Sequence, residues 1–362
     1  MSRIRQVIFL CAVCGSLGMG GRTAPEKIIR EEPVLFITGE DGVPQGRLLL
    51  EPEKILKATD TAGVRSYVEG RDFVVDAPKR RIILPPGSSI LAVTEAELYP
   101  APGSPRSYDG RRNSRRHMCY SEDGWLPERQ IRFTYRFRQD DRPLPEDGIG
   151  DVPRFRRKLL EKQPVNIAVF GDSISLGCNA TEFLKLEPFQ PVHYERFARY
   201  LRTRYSCEVA WHNFSMGGKT AVWGAGNLEN LFRIHVVPDL IILAWGMNDA
   251  SGGHTAEQFR KAIQTQMARL KEKFPDVEFL LLSSMLPNPE WKYAGTELFG
   301  SYSVILCSLA RHDGVLTVNL TPYWRKIMER KGFMSLTGNG LNHPNDFGHR
   351  IYAEALIHAF ER

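Results

Sequence analysis

The sequence predicts an α/β fold in which an all-β sandwich of jelly-roll type precedes a three-layer α/β/α domain with a parallel sheet. Two observations carry this prediction. Residues 30–140 alternate with period two between Gly, Pro and Asp turns, whereas residues 164–362 contain apolar runs separated by segments with helical spacing. The proline- and acid-rich stretch at 140–153 separates these two hydrophobicity patterns. We therefore expect a β-sandwich at 30–140, a linker and lead-in helix at 141–163, and the α/β domain at 164–362.

The first 24 residues have the layout of a secretory signal peptide. Arg3 and Arg5 precede an apolar stretch from Val7 to about Met19, and small residues follow it. The stretch is short for a membrane span, and an uncleaved anchor is the alternative. We expect a secreted or periplasmic protein with no stable insertion in a membrane.

Composition limits the partners. The formal net charge is +6, and removal of the first 24 residues would lower it, so we expect no nucleic-acid partner. The four cysteines beyond the signal peptide contain no C-x-x-C pair, so we expect no metal site; they are Cys119, Cys178, Cys207 and Cys307. Disulfides and free thiols both stay open, and the sequence indicates no oligomeric state.

The segment "IRFTYRFR" (131–138) is the clearest strand of the sandwich. Its apolar side chains fall on one face, which we expect to be buried: Ile131, Phe133, Tyr135 and Phe137. Its polar side chains fall on the other face, which we expect to meet solvent: Arg132, Thr134, Arg136 and Arg138. Shorter runs of the same kind are "PVLFITG", "GRLLLEP", "DFVVD" and "RIILPPGSS".

The strands predicted after residue 164 are apolar on both faces. They are "VNIAVF", "VAWHNF", "LIILAW", "VEFLLLSS" and "VLTVNL", and amphipathic segments such as "TAEQFRKAIQTQMARLKEKF" lie between them. This alternation is typical of a parallel sheet that is covered by helices on both sides.

Polar or glycine positions follow these strands where a ligand crevice is expected. Ser173 follows the first strand, Gly217 and Gly218 the second, and Asn248 the third, while His343 lies between the last strand and the terminal helix. Each also has a structural alternative, which is a helix cap for Ser173 and Asn248, a tight turn for the glycines, and a loop role for His343. Together they suit acyl transfer, because serine needs a base and the oxyanion needs N–H donors.

Four ordered blocks, "GDSIS", "NFSMGG", "GMND" and "NHPNDFGH", resemble those of the SGNH (GDSL-like) hydrolase superfamily over residues 164–362. The resemblance implies Ser173 as nucleophile and His343 as base. It also implies an oxyanion hole formed by the N–H groups of Ser173 and Gly218 and the amide of Asn248. Gly218 aligns better than Gly217 with the family's oxyanion glycine. The family's block runs Asn-x-Gly-x-Ser-Gly, and counting from Asn213 places the last glycine at position 218. No metal or organic cofactor is implied.

One position departs from the family pattern. The family places an aspartate three residues before the histidine, and Gly340 stands there in this sequence. We expect a Ser–His dyad in which a backbone carbonyl or an Asn side chain orients His343, and Asn339 and Asp346 are the candidate orienting residues. An acid from elsewhere in the chain and a loss of activity are the alternatives. An α/β-hydrolase is disfavoured because Ser175 occupies the last glycine position of G-x-S-x-G.

The order of a β-sandwich before such a domain resembles carbohydrate esterase family 2 and related secreted deacetylases. This implies an acylated glycan or another small ester as substrate. A glycan O-acyltransferase, a lipase or thioesterase, and a non-catalytic glycan-binding protein stay open. Three tryptophans are either sugar-stacking faces or core residues, namely Trp223, Trp245 and Trp291, and "RRNSRRH" (111–117) either attracts an acidic glycan or is a solvated loop.

Overall fold

The computed structural model describes residues 27–112 and 116–362. The predicted signal peptide at 1–24 lies outside the described residues. Within the described ranges, no helix combines the length and the apolar character that a membrane crossing requires. The four cysteines of these ranges are free thiols.

Residues 28–137, which we call the β region, form antiparallel sheets as predicted. The strands are β1 (Ile28–Leu35), β2 (Ile37–Thr38), β3 (Pro44–Arg47), β4 (Pro52–Thr59), β5 (Val74–Asp76), β6 (Arg81–Ile83), β7 (Ser107–Tyr108), β8 (Met118–Cys119) and β9 (Gln130–Phe137). The helices are α1 (Glu95–Leu98), α2 (Trp125–Arg129) and a 3₁₀ turn at Ala77–Lys79. One sheet has the order β1-β9-β4, a second has the order β2-β3-β6-β5, and β7 pairs with β8.

Strand β9 shows the predicted alternation, with one exception. Ile131, Phe133, Tyr135 and Phe137 are all buried, and the ring of Phe133 packs edge-on against other aromatic rings of the β region. Arg132 was expected to face solvent, and this prediction is wrong, because only 8% of the residue is exposed. Its face of β9 lies against the start of the C-terminal helix, which supplies a carboxylate partner.

Residues 149–361, which we call the α/β region, alternate strands and helices. The strands are β10 (Ile149–Asp151), β11 (Val165–Gly171), β12 (Val209–Asn213), β13 (Leu240–Ala244), β14 (Glu278–Leu282) and β15 (Val315–Val318). The helices are α3 (Pro153–Leu160), α4 (Ser173–Leu176), α5 (Thr181–Leu184), α6 (His193–Tyr205), α7 (Ala221–Gly226), α8 (Glu229–Phe232), α9 (Met247–Ser251), α10 (Ala256–Lys273), α11 (Thr296–Leu309), α12 (Leu320–Lys331), a 3₁₀ turn at Phe333–Ser335, and α13 (Asp346–Glu361).

The sheet of the α/β region has the order β10-β15-β14-β13-β11-β12. Its five long strands are parallel, and β10 pairs antiparallel to β15 at the edge. From β11 the chain goes first to β12 on one side and then to β13 on the other. A crevice forms where the strand order reverses in this way, at the carboxyl ends of the strands. The predicted domain boundaries stay a prediction, and the linker segment contributes β10 to the sheet.

The two regions pack on each other through a common hydrophobic core and a buried ion pair. Glu32 of β1 accepts a hydrogen bond of 2.6 Å from Nζ of Lys331, the last residue of α12, and both side chains are fully buried. The Glu32 carboxylate also accepts from the Tyr135 hydroxyl at 2.7 Å and from the Leu49 N–H at 2.8 Å. Tyr135 and Leu49 belong to the β region, like Glu32, so the ion pair with Lys331 is the bond of this carboxylate that crosses to the α/β region.

Candidate active site

Ser173 is the first residue of α4, close behind the carboxyl end of β11. Gly171, the last residue of β11, packs closely against β13, since a Cβ there would lie 2.4 Å from the carbonyl oxygen of Ala244. The N-cap of α4 is Asp172, whose carboxylate accepts a hydrogen bond of 2.9 Å from the Ile174 N–H. Because Asp172 takes the capping role, the Ser173 hydroxyl is not the helix cap that the structural alternative proposed.

His343 lies in the loop before α13, and its imidazole reaches Ser173. Nε2 is 2.9 Å from Ser173 Oγ, although the two positions are 170 residues apart in the chain. Both side chains are buried, with 5% of Ser173 and 7% of His343 exposed. Asn345 caps α13 by accepting from the N–H groups of Phe347 and Gly348, and this cap fixes the end of the loop two residues from the imidazole.

The other ring nitrogen of His343 contacts Asn179, a residue that the sequence reasoning missed. Nδ1 is 2.6 Å from Oδ1 of Asn179. Because an amide oxygen only accepts hydrogen bonds, Nδ1 carries the proton and Nε2 is the acceptor for the Ser173 hydroxyl. This is the tautomer that a general base needs. Asn179 is 1% exposed and has a φ of +66°, a left-handed conformation that asparagine adopts more readily than most residues.

Glu122 of the β region faces the same nitrogen and was also missed. Its Oε1 lies 3.6 Å from Nδ1 of His343, which is too long for a hydrogen bond but close enough for a charge interaction. The side chain is 44% exposed. Burial lowers the pKa of His343, and the charge of Glu122 opposes that effect. The imidazole is therefore neutral at pH 7, as a base must be.

Neither Asn339 nor Asp346, the two residues expected to orient His343, is the hydrogen-bond partner of its Nδ1, which is Asn179. The Asn339 side chain instead holds the loop, because its Oδ1 accepts from the N–H groups of Leu341, Asn342 and His343 at 2.9 to 3.1 Å. The Asp346 carboxylate is bonded to other groups. It accepts from Nη2 of Arg132 at 2.5 Å, and from the N–H and hydroxyl of Thr181 at 2.8 and 2.9 Å.

The glycine pair after β12 lies directly beside the serine. A Cβ at Gly217 would be 3.8 Å from the Ser173 Cβ, while Gly218 has a φ of +71° and open space where a Cβ would project. A positive φ of this size favours glycine. The Met216 N–H donates to the carbonyl of Gly171 at 3.0 Å, and so ties this loop to the turn before Ser173.

Asn248 is the second residue of α9 and joins the next loop to the same cluster. Its Nδ2 donates to the carbonyl oxygen of Lys219 at 2.9 Å. A side-chain amide has two N–H groups, and the second one has no partner among the described residues. The structure therefore brings Ser173, Gly218, Asn248 and His343 to one edge of the sheet.

Two buried carboxylates lie behind these loops. Burial raises the pKa of Asp172 to about 7, and the charge of Asp249 adds to this rise. Burial also raises the pKa of Asp249, whose carboxylate accepts from the Ala221 N–H at 3.0 Å and lies 3.2 Å from Nδ1 of His254. Both carboxylates accept hydrogen bonds from backbone N–H groups, and so fix the helix starts that carry the site.

The tryptophans considered as sugar-stacking faces belong to the core or its edge. Trp245 and Trp291 are 2% and 7% exposed, and Nε1 of Trp245 donates to Gln266 at 3.0 Å. Trp223 is half-buried and packs on Phe170. Of the two interpretations that the sequence left open, the core role holds for Trp245 and Trp291.

Comparison with known protein families shows to which family this chain belongs. The profile of the GDSL-like lipase/acylhydrolase family matches residues 169–351, just over half of the chain. The chain belongs to the GDSL-like lipase/acylhydrolase family. It is thus a carboxylic ester hydrolase, and the matched range contains Ser173, Asn179, Gly218, Asn248 and His343, but not Glu122. No curated protein matches the sequence.

Solved structures that resemble this GDSL-like chain include esterases and lipases. A lipase from a goat rumen metagenome is 16% identical, with 54% of this chain and 97% of the other covered and a TM-score of 0.45. An acetyl-xylooligosaccharide esterase from Geobacillus is 15% identical, with 56% and 97% covered and a TM-score of 0.44. A two-domain esterase active on acetylated mannans is 19% identical, with 59% of this chain covered and a TM-score of 0.46. This chain spans 54% of the length of that esterase.

Proposed function

We propose that this chain is an exported serine esterase that removes O-acetyl or other short acyl groups from a carbohydrate. The observation that carries the catalytic part is the 2.9 Å contact between Ser173 Oγ and His343 Nε2, with Asn179 on the opposite ring nitrogen. Export rests on the signal-peptide pattern of residues 1–24.

The first half of the reaction acylates the serine. His343 Nε2 takes the hydroxyl proton as Ser173 Oγ bonds to the ester carbonyl carbon. The negative charge on the carbonyl oxygen is stabilised by the N–H groups of Ser173 and Gly218 and by the Asn248 amide. The imidazolium then gives its proton to the sugar oxygen as the bond between that oxygen and the acyl carbon breaks, so the alcohol leaves and the acyl group stays on Ser173.

The second half frees the enzyme with the same groups. His343 takes a proton from a water molecule whose oxygen attacks the acyl carbon, and the oxyanion donors again stabilise the intermediate. Ser173 leaves as its oxygen regains the proton from the imidazolium, and the carboxylic acid is released. The steps as proposed use only protein groups and water.

A polar cleft supports the carbohydrate part of the proposal. A cleft of about 700 Å³ borders α9, the helix that carries Asn248. Its lining includes Arg112, Ser251, Lys292 and Tyr293, with Tyr293 about half exposed. Hydrogen-bonding side chains and an exposed aromatic ring suit a hydroxyl-rich sugar better than a hydrocarbon chain.

A second candidate, hydrolysis of longer acyl esters, is favoured by two exposed apolar side chains. Leu176 and Met216 are 36% and 40% exposed, and Leu176 lies within 4.0 Å of the position of a Cβ at Gly217. Apolar side chains at this edge would contact the acyl part of a substrate and stabilise a longer chain by burial.

The test compares the wild type with S173A on p-nitrophenyl acetate and p-nitrophenyl octanoate, and then on acetylated mannan, acetylated xylan and acetylated mucin glycans. We expect S173A to lose activity on every substrate, and the wild type to prefer acetate and to release acetate from at least one glycan. Equal rates for the two proteins would contradict the catalytic assignment. A clear preference for octanoate, without acetate release from glycans, would replace the carbohydrate with a lipid ester.

A further inference from the structure

Gly340, the position where the family has its aspartate, cannot carry a side chain in this fold. Its φ is +88°, and a Cβ there would lie 2.5 Å from the carbonyl oxygen of Cys119 in β8. Steric overlap of this size with a backbone atom excludes aspartate. The β region therefore occupies the space in which the family's carboxylate would begin.

The same stretch of the β region is fastened to the loop that carries His343. The Ser121 N–H donates to the carbonyl of Asn339 at 3.1 Å. The next residue is Glu122, whose Oε1 accepts from Nδ2 of Asn339 at 3.2 Å and lies 3.6 Å from His343 Nδ1. The stretch of the β region that excludes an aspartate at position 340 thus places the carboxylate of Glu122 near Nδ1 of His343.

We propose that Glu122 is a positioning residue for His343, and that it supplies from the β region the negative charge which the family takes from its aspartate. The inference rests on the proposed function. Asn179 fixes the neutral tautomer by hydrogen bonding, whereas Glu122 stabilises the imidazolium that forms when Ser173 loses its proton. A neutral amide cannot do this by charge, so the two residues have separate tasks.

Other titratable groups near the imidazole are neutral, paired or on the far side of it. Burial keeps His349 and its neighbour His193 uncharged by lowering the pKa of each, and raises the pKa of Cys178, so that its thiol stays protonated.

Asp346 is paired with Arg132, and Asp172 lies on the Ser173 side as the cap of α4. The remaining groups on these elements are Tyr120, whose pKa is raised by burial and then by Glu122, and Arg196 of α6. Glu122 is the group that acts on the charge of His343 in the direction of the imidazolium.

The test is the pH dependence of kcat and kcat/KM for E122Q, E122D and the wild type. Loss of the negative charge lowers the pKa of His343, so the neutral base persists to lower pH. We expect the acid limb of E122Q to move down by roughly half a unit to one unit, and kcat on its plateau to fall by about 3- to 10-fold. E122D should lie between the two, and 1 M NaCl should shrink the difference because the carboxylate is partly exposed. The matched control is E128Q, since Glu128 is an exposed carboxylate six positions further along the same segment.

A second measurement does not depend on activity. In the S173A background, NMR titration of the His343 imidazole, identified by its loss in H343Q, should show the same downward pKa shift for E122Q and none for E128Q. If S173A keeps full activity, the proposed function fails, while this titration still decides on Glu122. An unchanged pKa and acid limb in E122Q would overturn the inference. Equal loss of kcat in E122Q and E122D with an unmoved acid limb would do so as well, because it would indicate a merely structural role.

Discussion

Two of the contacts between the β region and the α/β region differ in how far they expose a carboxylate to solvent. At the first, Glu32 and Lys331 are fully buried and pair at 2.6 Å. At the second, Glu122 is 44% exposed and lies 3.6 Å from a ring nitrogen of His343, with no hydrogen bond between them. The Glu32–Lys331 pair is hydrogen-bonded and shielded from solvent, whereas the Glu122 carboxylate is partly hydrated.

This difference separates structural charges from charges that serve chemistry. A buried ion pair with all its donors in place has one stable protonation state, and it fixes how the regions pack. A histidine that accepts and returns a proton must be stable in both charge states, so a moderate field suits it better than a tight ion pair. The comparison therefore predicts that breaking the first contact affects stability and that changing the second site affects rate.

The largest effect is expected at the buried pair. In K331M the Glu32 carboxylate keeps its bonds from Tyr135 and Leu49 but loses its counter-charge in a site without solvent. Leaving a buried charge without its partner costs about 3–5 kcal/mol. The free energy of unfolding, measured by urea denaturation, should fall by this amount.

The control for K331M is the double variant E32Q/K331M, in which no buried charge is left unpaired. It should recover most of the lost stability, because neutral groups are cheaper to bury than a lone carboxylate. A single variant as stable as the double one would contradict the structural role of the pair.

Substitution of a proposed oxyanion donor should change the free energy of unfolding less than K331M does, but it should lower kcat strongly. N248A removes the side-chain amide that we propose as an oxyanion donor, and loss of one such donor lowers kcat by about 10²–10³-fold. Its stability should change by only about 1 kcal/mol, since one hydrogen bond to the Lys219 carbonyl is lost. Steady-state kinetics and urea denaturation measure the two quantities.

N227A is the matched control for N248A. Asn227 also donates its amide to a backbone carbonyl, that of Trp223 at 2.8 Å, and it lies in an exposed position at the end of α7. N227A should keep kcat within about twofold, because surface changes away from a site have small effects. Similar losses of kcat in N248A and N227A would contradict the proposal that the Asn248 amide acts on the rate of the reaction. The change in kcat expected for E122Q, described above, is the smallest of the series.

Much of the fold could be predicted from the sequence because it follows from local patterns. The runs that became β11, β13, β14 and β15 are apolar on both faces and buried, as strands of a covered parallel sheet are. The run that became β12 was expected to be the same, but this strand lies at the edge of the sheet and Trp211 is 37% exposed. Parallel strands then bring their carboxyl ends together, so Ser173, Asn248 and His343 could be placed at one edge before the structure was known. The alternation in "IRFTYRFR" likewise predicted the buried face of β9.

The rest depends on tertiary contacts that leave no local pattern. β4 was not predicted, because it is an edge strand whose charged side chains face solvent and whose register is irregular. Arg132 could not be recognised as buried without knowing that Asp346 lies opposite it. Asn179 and Glu122 reach His343 and its loop from 164 and more than 200 residues away, and neither belongs to a recognisable motif.

The central claim is that His343 activates Ser173, and covalent labelling tests it most directly. A fluorophosphonate probe should modify Ser173 and no other residue, as located by mass spectrometry of the digested protein. H343A should be labelled about 10²–10⁴-fold more slowly, because the base that takes the serine proton is gone. Labelling of a different residue, or equal labelling rates for the wild type and H343A, would contradict the account.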